Sequence, residues 1–245
     1  MATRWAPRSR GGKRNSSSAF GEWDYAGRGT GKRCKAEFWS KGVSGKQNKT
    51  FVDGSTRDRS VAYIFADSQL RPVVQGDVEL PQGPIQMIIN STPGGTCHHV
   101  EKELLDFSRK RKPDIVVLAA GTNNIGFGLE SLDVACKQFR SLLSSALCMT
   151  PQVLATSIAP RLDKKGRLVQ EYNYCFSMIC QEEGVSWLDI SDSFPTDDTK
   201  LWARDGLHIS ECTGLPRLLR VLHRRMVSIL LPDDLSSTSV QGQKM

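Results

Sequence analysis

Three residues of this chain have the chemistry of a serine nucleophile with its acid–base partners. Ser68 follows an apolar run that ends at Ala66, and His208 stands three residues after Asp205. A serine nucleophile needs a base to take its proton and a carboxylate to orient that base. The sequence therefore predicts that Ser68 attacks a carbonyl carbon, with His208 as the base and Asp205 as the orienting acid.

Two further segments offer hydrogen-bond donors for the oxyanion that such an attack creates. They read STPGGT at 91–96 and GTNN at 121–124. Donors aimed at the developing negative charge stabilise the transition state of acyl transfer. The predicted donors are the backbone N–H groups of Ser68 and Gly94 and the side-chain amide of Asn123, with Gly95 as an alternative to Gly94.

The apolar pattern between these segments predicts a three-layer α/β/α sandwich with a mainly parallel sheet of about five strands. Short apolar runs alternate with longer segments that have helical spacing, which is typical of parallel strands joined by helical crossovers. In such a sheet the chemistry lies at the carboxyl ends of the strands, where Ser68 and the STPGGT and GTNN segments occur, and Asp205 and His208 stand just before the last predicted helix. The predicted strands are 61–66, 85–90, 114–120, 152–159 and 185–190, and the predicted helices are 96–112, 130–148, 167–183 and 211–231.

Four blocks in this order, ADSQL, STPGGT, GTNN and DGLH, resemble the SGNH (GDSL-type) hydrolase family. Within it they are most similar to the catalytic subunits of platelet-activating factor acetylhydrolases and to the esterase domain of some LINE retrotransposon first open reading frames. The resemblance implies a flavodoxin-like hydrolase fold and a serine esterase acting on a small-molecule or lipid ester. It also implies an acetyl group as the acyl part and no metal or organic cofactor.

One position departs from the family pattern at the nucleophile block. Ala66 stands where the family usually has glycine before the Asp–Ser pair. Alanine is costly at a positive φ and harmless at a negative one. The backbone angle of Ala66 therefore decides whether Ser68 is displaced.

The charge of the chain is concentrated at its N-terminus. Residues 1–60 hold 14 Lys and Arg against 5 Asp and Glu, in a chain of formal net charge +7. This composition predicts a disordered basic tail at 1–58, a hydrolase domain at 59–232 and a flexible tail at 233–245. An alternative function follows: a non-hydrolytic, retroelement-derived protein that binds RNA or DNA through residues 1–58.

Other features limit the class of protein. The sequence has no apolar run long enough for a transmembrane segment and no signal-peptide pattern, and its seven cysteines follow no repeat. We therefore expect an intracellular protein, cytoplasmic or nuclear. The segment GRGTGK at 27–32 lacks the hydroxyl residue of a phosphate-binding loop, and adjacent histidines at 98 and 99 cannot easily face one metal ion.

Overall fold

A computed structural model describes residues 28–33, 35–54, 59–108, 111–126, 131–163 and 165–232. Their core is a six-stranded sheet in the order β1-β3-β2-β4-β5-β6, in which β1 alone runs antiparallel. In chain order the elements are β1 Lys49–Val52, β2 Ser60–Ala66, α1 Arg71–Gln75, β3 Ile85–Ser91, α2 Cys97–Asp106, β4 Ile115–Ala119, α3 Thr122–Gly126, α4 Leu132–Leu147, β5 Val153–Thr156, α5 Gly166–Glu182, β6 Ser186–Leu188 and α6 Gly214–Leu230.

Apolar residues alternate between the two faces of the sheet, so each face has its own core. In β2, Val61, Tyr63 and Phe65 pack under α2, α4 and α5, whereas Ala62, Ile64 and Ala66 pack under α1 and α6. Strands covered on both faces read as continuous apolar runs, which is why the parallel strands were recognisable in the sequence. The three-layer α/β/α prediction is confirmed.

Strand order places three of the predicted segments side by side. β2 lies between β3 and β4 and is parallel to both. The chain leaves β2 toward β3 on one side and later returns to β4 on the other, which makes the end of β2 a topological switch point. Ligands bind at such points in open α/β sheets.

The sheet extends into the segment that was predicted to be a disordered tail. β1 pairs with β3 from Lys49 opposite Ser91 to Val52 opposite Ile88, and Trp39 is 5% exposed in the core under α1 and α6. The tail prediction at 1–58 is therefore wrong for residues 28–33 and 35–54, and the count of five strands becomes six.

The sequence did not indicate that residues 35–54 are ordered, because few apolar contacts hold this segment in place. Trp39 packs with the Arg71 guanidinium carbon 4.8 Å from its ring centroid, and the Lys49 ammonium lies 5.5 Å from it. Cation–π contacts and a single strand ladder leave no periodic apolar signal in a charged sequence. Residues 1–27 and the 233–245 tail lie outside the described residues, and nucleic-acid binding by the basic segment stays a prediction.

Within the described residues, none of the helices combines the length and apolarity that crossing a bilayer requires.

Candidate active site

Ser68 opens a short 3-10 turn between β2 and α1. The turn forms because the Asp67 side chain accepts the amide of Gln69 at 3.0 Å, and Pro72 stands in the first turn of the helix that follows. All described residues with positive φ are glycines. Alanine therefore replaces the usual glycine at 66 without backbone strain, which settles the question raised by the sequence.

Asp67 joins the ends of three strands beneath Ser68. Its amide donates to the Ala119 carbonyl at 3.2 Å, its carbonyl accepts the Ser91 hydroxyl at 2.8 Å, and its carboxylate accepts the Thr122 amide at 3.2 Å. The side chain is fully buried, and this burial raises the pKa of Asp67 despite the hydrogen bonds that favour its charged form. Asp67 is thus a structural residue that fixes the turn bearing Ser68.

Ser68, His208 and Asp205 form a continuous hydrogen-bonded chain. Ser68 Oγ lies 3.0 Å from His208 Nε2, and His208 Nδ1 lies 2.8 Å from Asp205 Oδ2. The other carboxylate oxygen of Asp205 accepts the amides of Leu207 at 3.0 Å and His208 at 2.9 Å. This Asx-type turn explains the three-residue spacing, because it holds the acid and the base on one rigid loop.

The Asp205 carboxylate is held in its charged form. Burial alone would raise its pKa, but hydrogen bonds from the His208 side chain and from the amides of His208 and Leu207 outweigh burial and bring the pKa of Asp205 well below its ordinary value. Asp205 is therefore ionised at neutral and mildly acidic pH. In that state it can accept the imidazole proton and fix which nitrogen faces Ser68.

Gln69 connects the turn that carries Ser68 to the loop that carries His208. Its side-chain nitrogen donates to the Leu207 carbonyl at 3.2 Å, and its side-chain oxygen accepts the Ile209 amide at 3.1 Å. These two bonds bracket His208 and set its distance from Ser68. Sequence reasoning missed this residue, although its place directly after the candidate nucleophile was a usable signal.

The predicted oxyanion donors lie on the neighbouring loops. The Gly95 amide is used in its own turn, where it donates to the Thr92 carbonyl at 2.9 Å, whereas the amides of Gly94 and Ser68 have no acceptor among the described residues. Asn123 donates one side-chain hydrogen to the Gly95 carbonyl at 2.9 Å. Because an amide nitrogen carries two hydrogens, the second remains for a ligand. This hydrogen bonding favours Gly94 over Gly95 as the backbone donor to an oxyanion. The φ of +73° at residue 94 lies in the left-handed region, which explains why a glycine occurs there.

The residues of and around the Cys97–His98–His99 run stabilise the start of helix α2. Thr96 and His99 form a reciprocal capping box at its start, and the Asn124 side chain accepts the Cys97 amide at 3.0 Å. In the part of the chain that the structure describes, His, Cys, Asp and Glu side chains form no group of three arranged to hold a metal.

Arg33 reaches the site from the N-terminal segment, which the sequence did not predict. Its Nη1 atom lies 2.8 Å from Asp205 Oδ2 and also contacts His208 Nδ1. The residue lies far from the motifs in sequence, and its neighbours have the composition of a solvated tail. Only the folded chain reveals its place.

The sheet order, with polar loops at the carboxyl ends of its central strands, is that of the GDSL/SGNH hydrolase fold. A family model described as GDSL-like lipase/acylhydrolase matches residues 82–211, just over half of the chain. The chain belongs to this family. The matched span includes Gly94, Asn123, Asp205 and His208, and it begins after the Ser68 turn.

Solved structures of the same fold come from several bacteria. A GDSL-like lipase from Bacteroides thetaiotaomicron has a TM-score of 0.56 at 14% identity, covering 74% of this chain and 93% of its own. A lipase/acylhydrolase from Enterococcus faecalis has a TM-score of 0.58 at 19% identity, covering 71% and 98%. A catalytic mutant of an acetylxylan esterase from Geobacillus stearothermophilus has a TM-score of 0.54 at 17% identity, covering 69% and 94%. No curated protein sequence matches this chain.

Proposed function

We propose that this protein is a serine esterase that hydrolyses carboxylic esters through an acyl-enzyme. The observation that supports this function is the chain of hydrogen bonds from Ser68 Oγ through His208 to Asp205, at 3.0 and 2.8 Å. The backbone amides of Ser68 and Gly94, which follow the paired strands β2 and β3, have no acceptor among the described residues. A nucleophile, a base and oxyanion donors together are what ester hydrolysis requires.

In the first half of the reaction Ser68 is acylated. His208 Nε2 accepts the Ser68 proton as Oγ attacks the ester carbonyl carbon, and Asp205 stabilises the imidazolium that forms. The carbonyl oxygen becomes an oxyanion held by the amides of Ser68 and Gly94 and by the second side-chain hydrogen of Asn123. When the carbon–oxygen bond to the leaving group breaks, His208 donates its proton to the departing alcohol.

In the second half water replaces the alcohol. His208 accepts a proton from the water molecule, whose oxygen attacks the acyl carbon on Ser68 Oγ. The second tetrahedral intermediate uses the same oxyanion donors. Its collapse releases the carboxylic acid and returns the proton to Ser68, so that the enzyme is regenerated without any other reactant.

The proposed substrate is an ester with a short acyl group, acetyl being the first choice. Support comes from the likeness to the Geobacillus acetylxylan esterase and from the resemblance of the four sequence blocks to acetylhydrolases. The alcohol part is a small molecule or a lipid.

The test is a comparison of ester chain lengths with the purified wild type. We expect p-nitrophenyl acetate to be hydrolysed faster than the butyrate, and the butyrate faster than the octanoate. p-Nitrophenyl phosphate serves as the matched control and is expected to remain intact, because a phosphate monoester is a dianion near neutral pH and its charge disfavours attack by a serine oxygen. Rates equal to those of heat-denatured protein for all three carboxylic esters would refute the esterase.

A further inference from the structure

The segment 28–33, called the strap below, lies along both flanks of the loop that carries Asp205 and His208. Its residue 31 forms a parallel bridge with Ala203, before the loop, and its residue 32 bonds to the chain after the loop. The backbone bonds are Thr30 N to Thr199 O at 2.9 Å, Gly31 N to Trp202 O at 2.8 Å and Glu211 N to Lys32 O at 3.0 Å. The strap therefore fixes the acid–base loop from outside the sheet.

The glycines of the strap are required by this close approach. A Cβ atom added at Gly29 would lie 2.2 Å from the Ala203 carbonyl oxygen, and one added at Gly31 would lie 2.2 Å from the Ser210 Cβ. Both distances are far inside van der Waals contact, so only glycine fits without a shift of the loop. Packing against the loop thus accounts for the glycines at 29 and 31 of the GRGTGK segment.

At the end of the strap Arg33 shares the carboxylate of Asp205 with the imidazole. Asp205 Oδ2 accepts from Arg33 Nη1 and from His208 Nδ1, each at 2.8 Å. The Arg33 and Asp205 side chains are 31% and 41% exposed, so solvent reaches this ion pair and partly screens it. Arg33 contacts the Nδ1 side of the imidazole, opposite the nitrogen that faces Ser68.

We infer that Arg33 is a positioning residue that fixes the Asp205 carboxylate and sets the pH range in which His208 is a free base. This inference rests on the proposed esterase function. The Asp205 anion favours a proton on the imidazole, and a fixed cation in contact with Nδ1 opposes it. Removing the Arg33 charge is therefore expected to favour a positive charge on the imidazole and so to impair its action as a base.

Among the described residues, Arg33 is the cation that directly contacts His208, and the other charged groups lie farther from the imidazole or are anions. Asp67, buried under the nucleophile turn, and Asp205 are the nearby anions. Lys32 and Arg204 line the same cavity of about 560 Å³ as Arg33 and Asp205, and no bond from either side chain to Asp205 or His208 exists in the described structure. Arg71 lies near enough to Arg33 for the two charges to interact.

The experiment compares wild type with Arg33→Gln, Arg33→Lys and Lys32→Gln. In each protein kcat/KM for p-nitrophenyl acetate is measured from pH 5 to 9, at a wavelength where the phenol and phenolate absorb equally. We expect the acidic midpoint to move about 0.5 to 1 pH unit upward in Arg33→Gln, because a lost charge at contact distance is worth on the order of one unit at a half-exposed site. Arg33→Lys should restore the midpoint, and Lys32→Gln, which removes the same charge one residue away, should leave it unchanged.

A second measurement makes the inference independent of activity. The imidazole Cε1 proton of His208 is titrated by NMR in wild type and Arg33→Gln, and it is assigned among the four histidines by its absence from His208→Gln. The same upward shift is expected. Equal midpoints in wild type and Arg33→Gln, by kinetics or by NMR, would overturn the role of Arg33. A wild type without esterase activity but with the NMR shift would instead refute the proposed function alone.

Discussion

The Ser68→Ala protein is expected to hydrolyse p-nitrophenyl acetate at least about 10⁴-fold more slowly than the wild type in kcat, since removing a nucleophile of this kind typically costs that much or more. The loss follows from the geometry at the end of β2. Oγ is the atom that His208 Nε2 contacts at 3.0 Å, and in the described residues no other hydroxyl is bonded to that nitrogen. Without Oγ the acyl-enzyme cannot form.

A matched variant separates this chemical effect from a general loss of structure. Ser228 lies near the far end of α6, where its hydroxyl donates to the Arg225 carbonyl. Ser228→Ala also removes a serine Oγ atom, but outside the proposed site, and it should retain wild-type kcat and KM. A Ser68→Ala protein that folds normally and keeps more than a tenth of the wild-type rate would contradict the assignment of the nucleophile.

Replacing His208 with Gln is expected to lower kcat by about 10⁴- to 10⁶-fold, while the KM changes little. Glutamine keeps a polar side chain of similar length but cannot accept and return a proton near neutral pH. The bonds from the Gln69 side chain to the backbone on either side of residue 208 remain, so the loop should keep its place. The loss therefore reports the missing base and not a collapsed site.

Two controls make this result specific. His98→Gln changes a half-exposed histidine of α2 and should leave kcat unaltered. The double variant Ser68→Ala/His208→Gln should be no more than about tenfold slower than either single variant, because residues that act as one unit are strongly non-additive. Losses that multiply in the double variant would show that the two residues act independently, contrary to the proposal.

Much of the architecture could be predicted because buried parallel strands carry their signal in short stretches of sequence. β2 and β4 are almost continuous apolar runs and β3 is mainly apolar, and each is followed by turn residues that mark the carboxyl edge of the sheet. Since parallel strands bring these ends together, the sequence was enough to expect Ser68, Gly94 and Asn123 near one another. The Asp–Gly–Leu–His turn was recognisable because its spacing is local.

The rest depended on contacts between residues distant in sequence. Arg33 meets Asp205 across 172 positions, and Gln69 meets Ile209 across 140. Trp39 and β1 are held by one strand ladder and by cation–π contacts, neither of which creates a periodic pattern. The choice between Gly94 and Gly95 needed the hydrogen bond that occupies the Gly95 amide, which the letters of the sequence do not encode.

The most direct measurement of the central claim is to locate the nucleophile with a fluorophosphonate, which reacts with activated serines. Wild type is treated at neutral pH, its intact mass is measured, and the modified residue is identified by fragmentation of its peptides. We predict one adduct per chain, on Ser68 Oγ, with labelling greatly slowed in His208→Gln because the serine is no longer activated. An unmodified chain, or an adduct on a residue other than Ser68, would contradict the proposed mechanism.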